Sequence, residues 1–186
     1  MSDYVNKIFA LILIIILAPF LLIVAVIIIL DDGFPVLYRQ VRVGVNNYKF
    51  KLIKFRTMKK NIPDIPTHLL NSSQQYFTRS GPYFRNFSVD ELPQIINIIY
   101  GNMVFVGPRP ALHNQSDLVR LRTFSGVHEL MPGLTGWAQV NGRDNLSIEE
   151  KVKLDEYYLR HKSISLDLKI IMMTFKQIFI PKGVSH

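Results

Sequence analysis

The run IFALILIIILAPFLLIVAVIIIL, residues 8–30, holds 23 consecutive residues without a charge, nearly all of them aliphatic. As an α-helix it would be about 34 Å long, enough to cross a bilayer hydrocarbon core of about 30 Å. A cleaved secretory signal has a shorter apolar stretch that ends on small residues. This run passes directly into Asp31-Asp32-Gly33-Phe34-Pro35, so it is expected to stay on the protein as an anchor. Proline deletes one backbone donor and crowds the preceding turn, which predicts a kink at Ala18-Pro19. Two topologies fit the run: a kinked spanning helix, or a re-entrant hairpin of two half-helices that enters and leaves on one face. Lys7 before the run and Arg39 and Arg42 after it favour placing both ends on the cytoplasmic side.

Outside the run the chain is basic. Of 22 basic and 14 acidic side chains, only Lys7 and Asp3 fall within residues 1–30, so the whole surplus of +8 lies beyond them. A basic body suits an anionic partner such as lipid headgroups, a nucleotide or nucleic acid. The absence of Cys excludes a disulfide scaffold, a thiolate nucleophile, and Cys-bound zinc or iron–sulfur centres. The five His residues show no ligand spacing, and no glycine-rich dinucleotide or Walker loop occurs.

Residues 36–42 and 48–58 read as two strands joined by the turn Gly44-Val45-Asn46-Asn47, a β-hairpin. Residues 59–81 read as a polar loop. A helix is expected from Ser88 to Tyr100, ending at Gly101-Asn102, and another over Leu112 to Phe124. Met131 to Arg143 reads as a glycine-rich loop. Ser147 and Glu150 have the spacing of a capping box that opens a further helix. Leu166 to Ile180, ten of whose fifteen residues are apolar, is too short to span. It reads either as a buried helix or as an amphipathic one that turns Lys169, Lys176 and Lys182 towards lipid phosphates.

The chemistry centres on Ser88-Val89-Asp90-Glu91. This tetrapeptide also has capping-box spacing, with Ser88 at the N-cap and Glu91 three residues on. Asp90, Gln94 and Asn97 fall at i, i+4 and i+7, which places a polar stripe headed by a carboxylate on an apolar helix. A helix N-terminus favours negative charge and is expected to keep Asp90 ionised and available as a nucleophile. Mg²⁺ held by Glu91 and Asp90 would offset carboxylate–phosphate repulsion. Pro93 should loosen the first turn. Lys54, Arg56, Arg79, Arg85, Arg109 and Arg143 flank the site in sequence, and forked guanidinium groups suit phosphate oxygens.

These residues carry a resemblance. Lys54-Phe55-Arg56-Thr57-Met58, Ser88-Val89-Asp90-Glu91-Leu92-Pro93-Gln94, Gly107-Pro108-Arg109-Pro110, the block from Pro132 to Arg143, Leu166-Asp167-Leu168-Lys169 and Gly183-Val184-Ser185 occur in order along nearly the whole chain. Together they resemble the small monotopic phosphoglycosyl transferases of the bacterial sugar transferase family. The resemblance implies transfer of sugar-1-phosphate from a UDP-sugar to polyprenol (undecaprenyl) phosphate, with release of UMP. Asp90 would be the nucleophile of a covalent phosphosugar intermediate and Glu91 would help hold Mg²⁺. Lys54, Arg109, Arg143 and Asp167 would complete the active site, with Gln94 beside it. It further implies an α+β, helix-rich fold: a re-entrant membrane helix over residues 1–32, then a small cytoplasmic domain over 33–186 with a β-hairpin and interfacial amphipathic helices. The family's break is often Ser-Pro, and Ala18-Pro19 stands in that place. The location implied is the cytoplasmic face of a bacterial inner membrane, with membrane lipid as a partner and no nucleic acid. A homodimer is left open.

Two other readings survive at this level. A membrane-anchored basic binder of anionic lipid or nucleic acid would explain charge and anchor but gives the Asp90 stripe no role. A membrane-bound lipid-phosphate hydrolase would share the Asp nucleophile and use water as acceptor. The residues do not identify the sugar.

Overall fold

The computed structural model describes residues 3–60, 76–142 and 145–179. The apolar run forms α1 (Asp3–Asp32), a single helix that contains Pro19 without ending there. Pro19 therefore does not divide α1 into two separate helices; a re-entrant course would take the form of a bend within this one element. The long helix is apolar enough to cross a membrane and little of it is covered by protein.

The hairpin follows: β1 (Leu37–Val43) pairs antiparallel with β2 (Lys49–Phe55), bringing Tyr38 opposite Lys54. In the turn Asn46 and Asn47 adopt left-handed backbone (φ 49° and 62°), a conformation that Asn tolerates better than most residues. Then come α2 (Gly81–Asn86), a 3₁₀ turn over Val89–Gln94, α3 (Ile95–Ile99), β3 (Val104–Val106), β4 (Ala111–Leu112) and α4 (Ser116–Phe124). After these lie β5 (Gly133–Thr135), α5 (Trp137–Val140), α6 (Ile148–His161) and α7 (Ile164–Phe179). β4 adds to β1, giving a three-stranded antiparallel sheet in the order β2-β1-β4. β3 and β5 form a separate parallel pair.

Several elements differ from the sequence expectation. The segment after Ser88 is split, 3₁₀ through Gln94 and α only from Ile95, because Pro93 has no N–H for the α-helical ladder. The capping box at Ser88 does not form. Ser88 has φ 54°, not the extended backbone an N-cap needs, and its side chain caps nothing. The box at Ser147 does form: Ser147 Oγ accepts from Glu150 N at 3.2 Å, and Glu150 Oε2 accepts from Ser147 N at 2.7 Å. The helix expected from Leu112 starts at Ser116, since Leu112 belongs to β4.

The glycine-rich stretch expected as a loop is β5 followed by α5. Its glycines are contact residues. A Cβ on Gly133 would fall 2.1 Å from Gly107 N, and one on Gly136 would fall 2.1 Å from Gly107 O. Gly107 N donates to Thr135 O and Gly133 N to Pro108 O, each at 2.9 Å. Gly107-Pro108 and Pro132-Gly133 thus interlock backbone against backbone, which no side chain would permit. Residues 61–75 of the expected polar loop lie outside the described residues.

The main core gathers Ala10 of α1, Leu52 of β2, Ile95 and Ile98 of α3, Tyr158 of α6 and Ile170 of α7. A second cluster joins Val24 and Ile28 of α1 to Phe55. The helix is also fastened polarly near both ends. Asn6 Oδ1 accepts from Phe105 N at 3.2 Å, and Asp32 forms an ion pair with buried Arg56, which also donates to Pro35 O at 2.7 Å. α1 therefore lies along the body instead of projecting from it. Its other side, including Ile15, Ile16, Leu22 and Ile23, is exposed. On α7, Ile164, Leu168, Met172 and Phe175 form a second exposed apolar row at helical spacing.

Candidate active site

The 3₁₀ turn presses its polar side onto β2, and Asn97 makes the join. Its Oδ1 accepts from Ile53 N at 2.9 Å and its Nδ2 donates to Lys51 O at 2.8 Å. Asn97, expected as part of the chemical stripe, is a clamp: it fixes the strand that carries Lys54 against the segment that carries Asp90. Asp90 is only 6% exposed and Gln94 is buried on the same segment.

Burial is the largest influence on the Asp90 carboxyl and raises its pKa; the neighbouring Glu91 charge raises it further, while Lys54, Arg85 and Arg109 pull it back. The result is about 6. The sequence expectation that the helix N-terminus would hold this group firmly ionised is corrected here. A 3₁₀ turn supplies little dipole, and desolvation prevails. Lys54 is lowered to about 8, first by desolvation and then by Arg85, with Asp90 acting in the opposite direction. Its ammonium lies 5.4 Å from the centre of the Tyr38 ring, its cross-strand partner.

Glu91, freed from any capping role, takes Arg109. Arg109 Nη2 donates to Oε1 at 2.7 Å and Nη1 to Oε2 at 3.4 Å, a forked pair. Two further arginines fix the loop bearing Arg109. Arg122 Nη1 donates to Arg109 O at 2.8 Å, and Arg42 Nη1 donates to Pro110 O at 3.0 Å. Arg122 is in turn buried against Asp155, with Nε and Nη2 at 3.0 and 2.6 Å from Oδ2. Arg85 donates to Thr57 Oγ1 at 3.2 Å and lies over the Phe77 ring.

The structure thus brings together Asp90, Glu91, Lys54, Arg85 and Arg109. Asp167 is buried and reached from another direction: Tyr158 donates its hydroxyl to Asp167 Oδ1 at 2.7 Å, and that hydroxyl is 3.1 Å from Val106 O, one residue before the Gly107-Pro108-Arg109 bend. Burial first, and then the hydrogen bond to Asp167, raise the Tyr158 pKa. Arg143 lies outside the described residues. Arg56 belongs to the α1 anchor and not to this cluster.

Sequence reading missed Arg122 and Asp155. A signal was present: Arg122 follows Leu118 by four residues and Asp155 follows Val152 by three, so each charge sits on a buried helix face. A charge there requires a partner. Among the described residues no three His, Asp or Glu side chains gather as a metal cluster. The adjacent pair Asp90 and Glu91 is a donor set of one or two carboxylates, the kind that suits a Mg²⁺ keeping its waters and taking further ligands from substrate phosphates.

Residues 1–181 match the family model described as "Bacterial sugar transferase". The chain is 40% identical over 157 residues to the uncharacterized sugar transferase EpsL of Bacillus subtilis, covering 84% of this chain and 76% of that one. It is 40% identical over 174 residues to the undecaprenyl-phosphate glucose phosphotransferase of Komagataeibacter xylinus (87% of this chain, 32% of that one). Over 181 residues it is 34% identical to the UDP-glucose:undecaprenyl-phosphate glucose-1-phosphate transferase of Escherichia coli (94% and 39%). It therefore spans most of the first relative and 32% and 39% of the two glucose transferases.

Proposed function

The chain belongs to the bacterial sugar transferase family, and from that premise we propose that it moves sugar-1-phosphate from a UDP-sugar to undecaprenyl phosphate. The observation that carries the reading is the buried Asp90 carboxyl, set among Lys54, Arg85 and Arg109, on a body fastened along an apolar helix. In this reading Asp90 attacks the β-phosphorus of the donor. The bond from that phosphorus to the bridging oxygen breaks, and UMP leaves with the oxygen. A phosphate oxygen of undecaprenyl phosphate then attacks the same phosphorus, the Asp90–phosphorus ester breaks, and undecaprenyl diphosphate sugar departs. Splitting one transfer into two lets a water-soluble and a lipid substrate use one nucleophile in turn.

Lys54, Arg85 and Arg109 would balance charge on the transferring group, and Arg143 would join them in holding donor phosphates. Glu91, oriented by Arg109, and Asp90 would hold Mg²⁺. When bound, that ion neutralises phosphate charge. A raised pKa does not disable Asp90 at neutral pH. It makes the carboxylate more basic than an exposed one, and hence a stronger nucleophile once ionised.

The same reading places α1 in one leaflet of the bacterial inner membrane, re-entrant and open to the cytoplasm. Support comes from the fastening of α1 to the body near both ends, at Asn6 and Asp32. A helix crossing perpendicularly would carry those points to opposite sides of a core about 30 Å thick. The exposed apolar row of α7 would rest at the same interface.

The test is a panel of UDP-sugars, UDP-glucose and N-acetylated sugars included, assayed with undecaprenyl phosphate and Mg²⁺. The expected result is UMP release coupled one-to-one to lipid diphosphate sugar for at least one donor. Free sugar phosphate with no lipid product would replace the transferase by a hydrolase.

A further inference from the structure

Among the described residues, nearly every buried polar side chain has a hydrogen-bonded partner within the protein. Gln40 accepts from Arg42, Thr135 meets Thr174, and Asn97 uses both ends of its amide on β2. Asp90 and Gln94 are the exceptions, although they are only 6% and 3% exposed. Both belong to the same 3₁₀ turn, Val89–Gln94. An amide taken out of water without a partner destabilises the folded state, and elsewhere this fold avoids that cost. A ligand that hydrogen-bonds the amide removes the penalty.

The polar atoms wholly sealed without a partner lie elsewhere, at His128 Nδ1 and Gln139 Oε1. The Asp90 and Gln94 groups therefore keep a narrow access to the outside. Their turn packs against β2 and α2, the elements that carry Lys54 and Arg85. Both cations act on Asp90, as does Arg109. Arg109 also grips Glu91 and Arg85 donates to Thr57, while the Gln94 amide is drawn into none of these pairs. A 3₁₀ rise of about 2 Å per residue sets Gln94 about 8 Å along the turn from Asp90, a separation that the reach of the two side chains covers.

We propose that the Gln94 amide is a phosphate-binding group of the donor site, its Nε2 donating to a non-bridging oxygen on the phosphorus that Asp90 attacks. The inference rests on the transferase reading and adds to it a neutral donor beside the nucleophile. As the Asp90–phosphorus bond forms and UMP leaves with the bridging oxygen, negative charge stays on the non-bridging oxygens. A fixed N–H meets that charge. Gln94 itself neither gives up nor takes a proton. Another cation in its place would lower the basicity of Asp90 and weaken the nucleophile; an amide does not.

The test compares wild type with Gln94→Met and Gln94→Glu, both unbranched and close to Gln in size. Gln94→Met leaves no group unpaired in the fold, so its Tm should equal or exceed that of wild type. With UDP-sugar, undecaprenyl phosphate and Mg²⁺, its kcat for UMP release should fall about 100-fold, the effect of removing one donor from a developing anion. Gln94→Glu keeps the shape without the donor and should do no better. Nucleotide binding gives a second readout that needs no turnover, because UDP carries the β-phosphate that Gln94 would meet and UMP does not. In calorimetric titrations of the full-length protein in detergent, Gln94→Met should lose about tenfold in UDP affinity and bind UMP as wild type does. A Gln94→Met protein with wild-type kcat, equal loss of UDP and UMP, or turnover that falls only in step with Tm would each overturn the assignment and leave the transferase reading standing. Selective loss of UDP by Gln94→Met, when the wild type releases no UMP from any donor, would uphold the phosphate contact and remove the transferase reading.

Discussion

Arg122 donates from Nη1 to the main-chain oxygen of Arg109 at 2.8 Å, so the arginine that grips Glu91 is itself held by a second, buried arginine. The chain continues to Asp155, which takes two hydrogen bonds from Arg122 and is almost fully buried. Charge at the centre of the site thus depends on a pair on the far side of the Arg109 loop. Asp155 also has a raised pKa, because desolvation outweighs the pull of Arg122.

Removing one member of a buried pair leaves the other charge uncompensated. Asp155→Asn is therefore expected to destabilise the fold by about 3 kcal/mol and to lower kcat/KM by loosening Arg109. Chemical denaturation and UMP release measure the two effects. Arg122→Lys, which keeps charge without the fork, should fall between wild type and Asp155→Asn in both.

The pH profile follows from the two perturbed groups. Asp90 must be ionised to attack, and its pKa of about 6 makes the rate climb as pH rises through that value. Lys54 is a cation only below about 8, so the rate should fall as pH rises beyond it. The initial rate of UMP release should be bell-shaped between these limits. Lys54→Arg, whose guanidinium stays charged throughout, should remove the alkaline fall and leave the acid limb. A flat profile from wild type would contradict both assignments.

The topology has a clean test because the chain contains no Cys. Tyr4 and Tyr48 are both highly exposed, one at the start of α1 and the other in the hairpin. Tyr4→Cys and Tyr48→Cys should react with a membrane-impermeant maleimide from the same side of an oriented vesicle. Labelling from opposite sides would mean that α1 spans.

Much of this fold could be read from local pattern, and the failures have a common cause. The long apolar helix, the Asn46-Asn47 turn and the Ser147 cap depend on neighbours in sequence, and all formed. Ser88 to Glu91 carries the same four-residue signal as Ser147 to Glu150, yet only the second caps. The carboxylate of Glu91 is claimed by Arg109, 18 residues on, while that of Glu150 turns back to accept from Ser147 N. β3 and β5 are three residues each, too short to show a period, and they meet through glycine backbones whose partner lies some 30 residues away. The polar stripe was legible as a stripe, but the division of labour within it was not. Asn97 faces strand backbone and Asp90 faces charges, and only the position of β2 separates the two roles.

That division can be measured. Asn97→Ala would leave the Ile53 N–H and the Lys51 carbonyl unpaired in the interior, at a cost of about 2 kcal/mol. Its loss of turnover should track its loss of stability. Asp90→Asn should do the opposite, abolishing turnover while raising Tm, because the buried carboxylate it removes is less stable in the fold than in water. Thermal melts set beside UMP release for the two variants would show the contrast. A stable but inactive Asn97→Ala would contradict the clamp.

The central claim is that Asp90 bonds transiently to phosphorus. Intact-protein mass spectrometry on wild type given UDP-sugar and Mg²⁺, with no lipid acceptor, tests it most directly. The account predicts a mass gain of one sugar phosphate, mapped by peptide analysis to Asp90, cleared on adding undecaprenyl phosphate and missing from Asp90→Asn. Unmodified wild-type protein under conditions that support turnover, or an Asp90→Asn variant that makes lipid-linked product at the wild-type rate, would contradict it.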